Sequence, residues 1–394
     1  MAVTPIQSNN KLVKYTREIN REFVRENLFS PYMGEDLTSI IRIKNDLKAG
    51  GEQMNIPLVT KLTGTGKGAG TLVGAEEKID NYGMRVWVDW LRHAVATSKS
   101  EQQKDSADIF GEAKPLLSDF GKEKVRDEII EALMALPSES AQSDLGSDEG
   151  GRVNGIRYED ATSGNLNTWN VSNGTGAAAR ILYGSAVGNY AATHASALSQ
   201  VSASGSTGKF TAANASLLKR MAENAAPKIR PFKTRDGYEY YVIFAGSNTF
   251  RDFRNDSAVI AANREARARE GNGMDRNPIF QDGDQLYDGL IVRKVPEISR
   301  YVTDVWTSLK TAGSGSTRVE PVFLCGQQAA VVAYGQMMKP TFRKEDDYGF
   351  ISGTGIEACY GVSKMFKKHP INTGGTDLIQ WGVATGFFYA PTDA

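Results

Sequence analysis

Two runs in the first hundred residues alternate between apolar and polar positions. In "MNIPLVTKL" the apolar set is Ile56, Leu58 and Leu62, and in "GMRVWVDWLRHAV" it is Met84, Val86, Val88 and Trp90. A period of two belongs to a half-buried strand, so the pattern predicts the two strands of one hairpin. Pro57 has no N–H to give to a ladder and puts the first strand at a sheet edge, as a ribbon projecting from a body requires. The intervening segment 63–82 carries glycine at 64, 66, 68, 70 and 74, and loops that long usually serve a function or lack structure. A two-stranded ribbon has no core of its own. Its seven apolar side chains, at about 1.5 to 3 kcal/mol each when buried, represent on the order of 10 to 20 kcal/mol to be realised against another surface. That surface is either the chain's own body or another copy, and the pattern leaves both open.

Elsewhere the period lengthens to that of a helix. Leu12, Tyr15, Ile19 and Phe23 form a narrow stripe near the N-terminus, predicting an amphipathic helix that packs on its own domain or on a neighbour. From 106 to 136 the stripe is Ile109, Ala113, Leu116, Phe120, Val125, Ile129, Leu133 and Leu136, with Pro137 as the stop and Pro115 and Gly121 as expected bends, giving a regular helix over 122–136. Residues 138–208 turn polar and rich in Ser, Gly, Ala and Asn, which predicts a weakly structured insert with "RILYG" as a short strand. Beyond it come a helix in "TAANASLLKRMAENAA", a buried strand over 241–245, Ser247 to Thr249 positioned to cap a helix, and the helix "SAVIAANREARARE" ending at Gly271. A strand in "GLIVRKVPEI", the buried-looking "PVFLCG", a small-residue helix in "QQAAVVAYG" and a final strand in "LIQWGVATGFFYA" complete the series. The mixture lacks regular β-α-β alternation and reads as α+β.

Composition narrows the function classes. The 394 residues hold 46 basic and 46 acidic side chains, so no global field draws the chain to nucleic acid or an anionic membrane, and any nucleic-acid contact must be local and salt-sensitive. Two cysteines with no C-x-x-C pair suit a reducing compartment. No run of 18 apolar residues occurs and the start "MAVTPIQSNNK" has no apolar core, so neither a membrane span nor a signal peptide is expected. The glycine-rich stretch invites a phosphate-loop reading. Gly66 and Lys67 match the motif, but Lys61 replaces its first glycine and Gly68 its hydroxyl. "GTGIEA" fits the dinucleotide fingerprint only formally, because a strand-like segment follows it instead of a helix. Asp282, Asp284 and Asp288 lack calcium-loop spacing, with Arg293 where the closing glutamate belongs, and a tight turn explains them better. Three isolated histidines and no nucleophile elbow give no catalytic constellation; no catalytic, cofactor or metal residues are assigned.

The blocks "IIRIKNDLKAGGEQMNIPLV", "VGAEEKID", "TAANASLLKRMAENAAPKIRPFKTRDGYEYYVIF", "NPIFQDGDQLYDGLIVRKVPEI" and "PVFLCGQQAAVVAYGQ", in this order, resemble a family of major capsid proteins of short-tailed bacteriophages. The resemblance covers nearly the whole chain outside about 138–180. It implies the Johnson fold of tailed-phage and herpesvirus shells, with an N-terminal arm at 1–50 and an extended hairpin, the E-loop, at 51–100. A peripheral domain at 101–225 would contain the spine helix and the polar insert, an axial domain would span 226–373, and 374–394 would return to the peripheral domain. It further implies self-assembly through hexamers and pentamers into an icosahedral shell around double-stranded DNA, held by weak nonspecific contacts. Portal, scaffold or decoration proteins are further implied partners, and assembly in the host cytoplasm is implied with no membrane involved. Interface candidates on the hairpin are Ile56, Leu58, Leu62, Gly64, Gly66, Lys67, Val86, Trp87, Val88 and Trp90, with the two tryptophans as aromatic anchors. The alternatives are a non-viral shell of the same fold enclosing protein cargo, and an enzyme using the Gly64 to Gly70 loop for phosphate.

Overall fold

A computed structural model describes residues 27–45, 51–59, 62, 64–77, 79, 81–104, 110–141, 151–161, 180–189, 191, 193–225, 227–233, 237–262, 284–312, 317–343, 347–368 and 378–391. The stripe expected at Leu12 to Phe23 lies outside them. Two seven-stranded sheets organise the chain.

The first sheet runs Met33–Gly34, Ile41–Lys44, Ala330–Phe342, Ile351–Lys364, Val153–Arg157 and Ala135–Ala141, with Asp89–Ser98 paired to the outer part of Ile351–Lys364. Ala330 to Ala333 were expected in a helix. They form strand instead, because a run of small and β-branched residues buried on both sides carries no periodicity to read. The strand lies parallel to Ile41–Lys44 and antiparallel to Ile351–Lys364, and all four residues are fully buried. The dinucleotide-like "GTGIEA" is mid-strand in Ile351–Lys364, with no helix following it.

A single helix, Ala113–Met134, crosses this sheet. The helix runs unbroken through both positions expected to bend it. Pro115 sits in the first turn, where the missing N–H would have had no intrahelical partner. Gly121 lies so close to the sheet that a Cβ there would come within 2.4 Å of the Met338 sulfur. The helix stops before Leu136 and Pro137, which continue as strand Ala135–Ala141 at the sheet's edge, where a proline is tolerated.

The second sheet runs Asp284–Tyr287, Leu290–Lys294, Glu239–Ala245, Val319–Cys325, Val383–Tyr389 and Ile181–Tyr183. Both faces are covered. Ile243, Leu324 and Phe388 pack against helices Ala212–Asn224 and Ser247–Arg254. Val242, Phe244, Phe323 and Phe387 belong to a core shared with the long helix and with helix Pro296–Asp304. Burial on both sides explains why these strands read as continuous apolar runs. Asp288 (φ 47°) and Gly289 (φ 71°) make the two-residue turn into Leu290–Lys294, an Asp-Gly hairpin turn, while Asp284 pairs with Arg293 at 3.3 Å. Helix Ser247–Arg254 is capped from afar: the buried Glu320 carboxylate accepts from the Thr249 N–H at 3.3 Å and from Asn248 at 2.9 Å. The helix expected after Ser257 is described only to residue 262.

The polar insert is more ordered than its composition suggests. It contributes strands Val153–Arg157 and Ile181–Tyr183, the latter within the expected "RILYG", and helix His194–Ser204 capped by Thr193. Sheet membership also departs from the expected segmentation. Ala330–Phe342 and Ile351–Lys364, placed in the axial segment, lie under the long helix, and Val383–Tyr389 joins the other sheet.

Between the two sheets the long helix is not solvated on its polar side. Arg126, 2% exposed, pairs with Glu123 at 2.9 Å, Asp127 at 2.8 Å and, across to helix Pro296–Asp304, Glu297 at 3.6 Å. Arg300 of that helix reaches Glu123 and Asp127, each at 3.5 Å, and Arg152 holds Glu128 at 2.8 Å. Burial pushes the carboxyls of Asp127, Glu128 and Glu131 up from their ordinary values, against the pull of their arginine partners.

Candidate subunit-contact site

The predicted hairpin is present: Gln53–Val59 pairs antiparallel with Asn81–Trp87, Pro57 opposite Gly83, in a two-stranded sheet. Its apolar face does not await a neighbour. Met54, Ile56, Leu58, Met84 and Val86 are buried against Val331, Ala333, Met365 and Phe366 of the same chain. Five such side chains, at about 1.5 to 3 kcal/mol each, amount to on the order of 10 kcal/mol of burial satisfied within the subunit. The expectation that this face lies across another copy is therefore corrected: Ile56, Leu58 and Val86 are core residues, and Val88 packs beside them half-buried.

The base of the hairpin is pinned by close approach. The Trp87 N–H donates to Asn154 Oδ1 at 3.0 Å, and Asn154 Nδ2 donates back to the Trp87 carbonyl at 3.1 Å. That carbonyl would stand only 1.9 Å from a Cβ on Gly361. Gly361→Ala should accordingly lower the midpoint of urea unfolding by an amount equivalent to about 1 to 3 kcal/mol, since two backbones must separate to admit one methyl.

Trp90 does not belong to the hairpin. The strand pairing changes partner after Val88, and Trp90 lies opposite Cys359 on Asp89–Ser98, half exposed at 50%. Trp87 is half-buried at the junction. The two tryptophans are thus not a paired anchor on one ribbon face.

What the hairpin does leave open is its loop. Leu62 is 60% exposed and Val73 83%, with Leu72 and Ile79 comparably open. The loop is shaped by its own glutamates: the Gly64 N–H donates to Glu77 and the Gly74 N–H to Glu76, both at 2.8 Å. Gly66 and Gly74 have positive φ, 73° and 84°, a backbone state that suits glycine. Lys67 donates only to the Thr71 carbonyl, at 3.4 Å, and the exposed Gly64 to Gly70 backbone forms no phosphate cradle at a helix start.

A second exposed apolar surface escaped the sequence reading. The strand Ala330–Phe342 carries Met337 and Phe342 exposed, and the connection to Ile351–Lys364 carries Tyr348 and Phe350 exposed, with Tyr348 wholly open at φ 51°. Its signal was weak, a scatter of aromatics in "FRKEDDYGF" among charges. Among the described residues no cluster of His, Cys, Asp and Glu could hold a metal ion, and no helix is long and apolar enough to cross a membrane.

Comparisons with known proteins agree with this architecture. A model of the family described as phage capsid protein matches residues 3–382. The capsid chain of cyanophage Pam1 is similar over 100% of both chains at 32% identity, with a TM-score of 0.82. The capsid of Ralstonia phage GP4 matches over 100% of both chains at 17% identity and a TM-score of 0.69. The acid-stable capsid of Helicobacter pylori bacteriophage KHP30 covers 97% of this chain and 96% of its own at 13% identity, with a TM-score of 0.64. No curated protein sequence matches. From the family model, the end-to-end similarity to a capsid chain and the two-sheet body with its long helix and hairpin, the chain belongs to the phage capsid protein family, as a major capsid protein with the Johnson fold.

Proposed function

We propose that copies of this chain associate as hexamers and pentamers into an icosahedral shell that encloses double-stranded DNA, assembling in the host cytoplasm. The sheet under the long helix serves as the peripheral domain, and the second sheet with its helices as the axial domain. The open hairpin loop carries the intersubunit contact: Leu62, Leu72, Val73 and Ile79 seat on a neighbouring copy, while Gly64 and Gly66 let the loop follow slightly different neighbours. Lys67 rides on the same loop, and Trp90 contributes from the body beside the hairpin. The observation that supports this reading best is the contrast within the hairpin, a strand face buried at home and a loop of exposed apolar side chains beyond it. A cluster of apolar side chains held open to water is what a binding surface looks like before its partner arrives.

Removing residues 64–79 should leave a soluble subunit, because the strand face keeps its own partners, yet closed particles should no longer form. Electron microscopy and sedimentation read the outcome. Normal particles from the deletant would refute the role given to the loop.

A further inference from the structure

The chain is neutral overall, with 46 charges of each sign, so a local excess of one sign is informative. A cleft of about 1000 Å³ opens between the last turns of helix Ala212–Asn224, the segment 227–233 and the start of Glu239–Ala245. It is lined by Lys219, Lys228, Arg230 and Lys233, against Glu223 and Glu239. Lys219 pairs with Asp288 at 3.3 Å and Lys233 with Glu239 at 2.9 Å. Lys228 and Arg230 are exposed and pair with no carboxylate among the described residues.

The backbone carrying these two cations is fixed before anything binds. The Ile229 N–H donates to the Ala222 carbonyl at 3.2 Å, the Tyr241 hydroxyl donates to the Ile229 carbonyl at 3.1 Å, and the Gln327 N–H donates to the Arg230 carbonyl at 2.8 Å. The Arg180 guanidinium holds the Pro227 carbonyl. Gly326 lets the chains meet, since a Cβ there would fall 2.3 Å from the Arg230 carbonyl oxygen. Ile229 is buried between its two basic neighbours, so alternation turns Lys228 and Arg230 outward together. A rigid segment presenting two cations to a broad cleft suits a chain of phosphates better than a single small molecule. A pinned backbone adds no ordering cost of its own on binding, and a guanidinium beside an ammonium gives phosphate both a fork and a point charge.

We infer that this cleft binds phosphodiester groups of the enclosed nucleic acid, through Lys228 and Arg230. The inference rests on the reading of the chain as a shell around DNA. It adds to that reading which surface faces the genome.

The test is fluorescence anisotropy of a labelled duplex of about 20 base pairs, titrated with the full-length purified chain across a salt series. The Lys228→Ala/Arg230→Ala double variant should bind about tenfold more weakly at low salt, and the slope of log K against log salt should shrink by about 1.8, two phosphate contacts at about 0.9 each. Neither side chain pairs with a carboxylate among the described residues, so the variant should unfold at the wild-type midpoint. Arg85→Ala, on the outer face of the hairpin, should leave binding unchanged. Equal affinity and slope in the double variant would overturn the proposal, and so would an equal loss in Arg85→Ala. Two other results would also overturn it: an effect confined to binding of poly-glutamate, which marks an acidic protein segment, or stabilisation by inorganic phosphate with duplex binding untouched. Particle formation and DNA content are scored separately. Particles that package DNA while the variant binds duplex normally would sink the cleft and spare the shell; absence of particles would sink the shell reading itself.

Discussion

Lys364→Met should stabilise the folded subunit at neutral pH by on the order of 4 kcal/mol, and should abolish a rise in stability that the wild type shows between pH 7 and pH 9. Lys364 ends the strand Ile351–Lys364, is 1% exposed, and its Nζ has no hydrogen-bond partner. Burial pulls the amine down to about 7, with the neighbouring Cys325 acting slightly the other way. In the unfolded chain a lysine holds its proton to about pH 10.4. Between those two values the unfolded state binds a proton that the native state does not, so stability climbs with pH. Below pH 7 both states are protonated and the dependence vanishes, leaving the full burial cost in place. Methionine keeps the apolar stem and removes the charge. Urea unfolding midpoints at pH 7, 8 and 9 for both proteins decide the matter; a flat wild-type profile or a less stable variant would contradict this account.

Arg126→Met should act in the opposite direction and destabilise by about 3 to 5 kcal/mol, because it leaves buried carboxylates without their cation. Asp127 and Glu297 are both nearly buried, and Arg300, more than half exposed and screened by solvent, makes up only part of the lost contacts. The signature is its pH dependence. With Arg126 gone, the Asp127 carboxyl, already raised by burial, rises further. The native state then holds a proton that the unfolded state has released, so the variant's deficit should shrink as the pH falls toward 5. Adding Glu297→Gln should recover part of the loss, and a double-mutant cycle measures that coupling. A deficit independent of pH would mean that packing, not charge, dominates at this position.

Much of the architecture was legible from short-range patterns. The hairpin followed from the period of two at Ile56, Leu58, Met84 and Val86, and the long helix from its stripe. A tight turn into a strand was expected from the chemistry of "DGDQLYDG", and the turn lies at Asp288 and Gly289. What failed were questions only tertiary context answers. Ala330 to Ala333 carry no period because both their faces are buried. Pro115 looks like a breaker until its place in the first helical turn is known. The apolar stripe of the long helix said nothing of its charged positions, where Arg126 and Asp127 meet Glu297 and Arg300 of the sequence-distant helix Pro296–Asp304, and Glu128 meets Arg152. For the hairpin, the alternation showed that the strand face is buried but not by what, and its cover proves to be Val331, Ala333, Met365 and Phe366 of the same chain. Trp90 was misplaced because a change of pairing partner after Val88 leaves the parity of the sequence undisturbed.

The hairpin's self-covered strand face also bears on how errors are removed when many copies come together. In the proposed shell the larger apolar surface is already covered at home, and the loop brings to each junction a few exposed side chains whose individual grip is slight. Slight grips, repeated around every copy, let a wrongly seated molecule depart before its surroundings lock, so fidelity arises from reversibility at each joint and durability from their number.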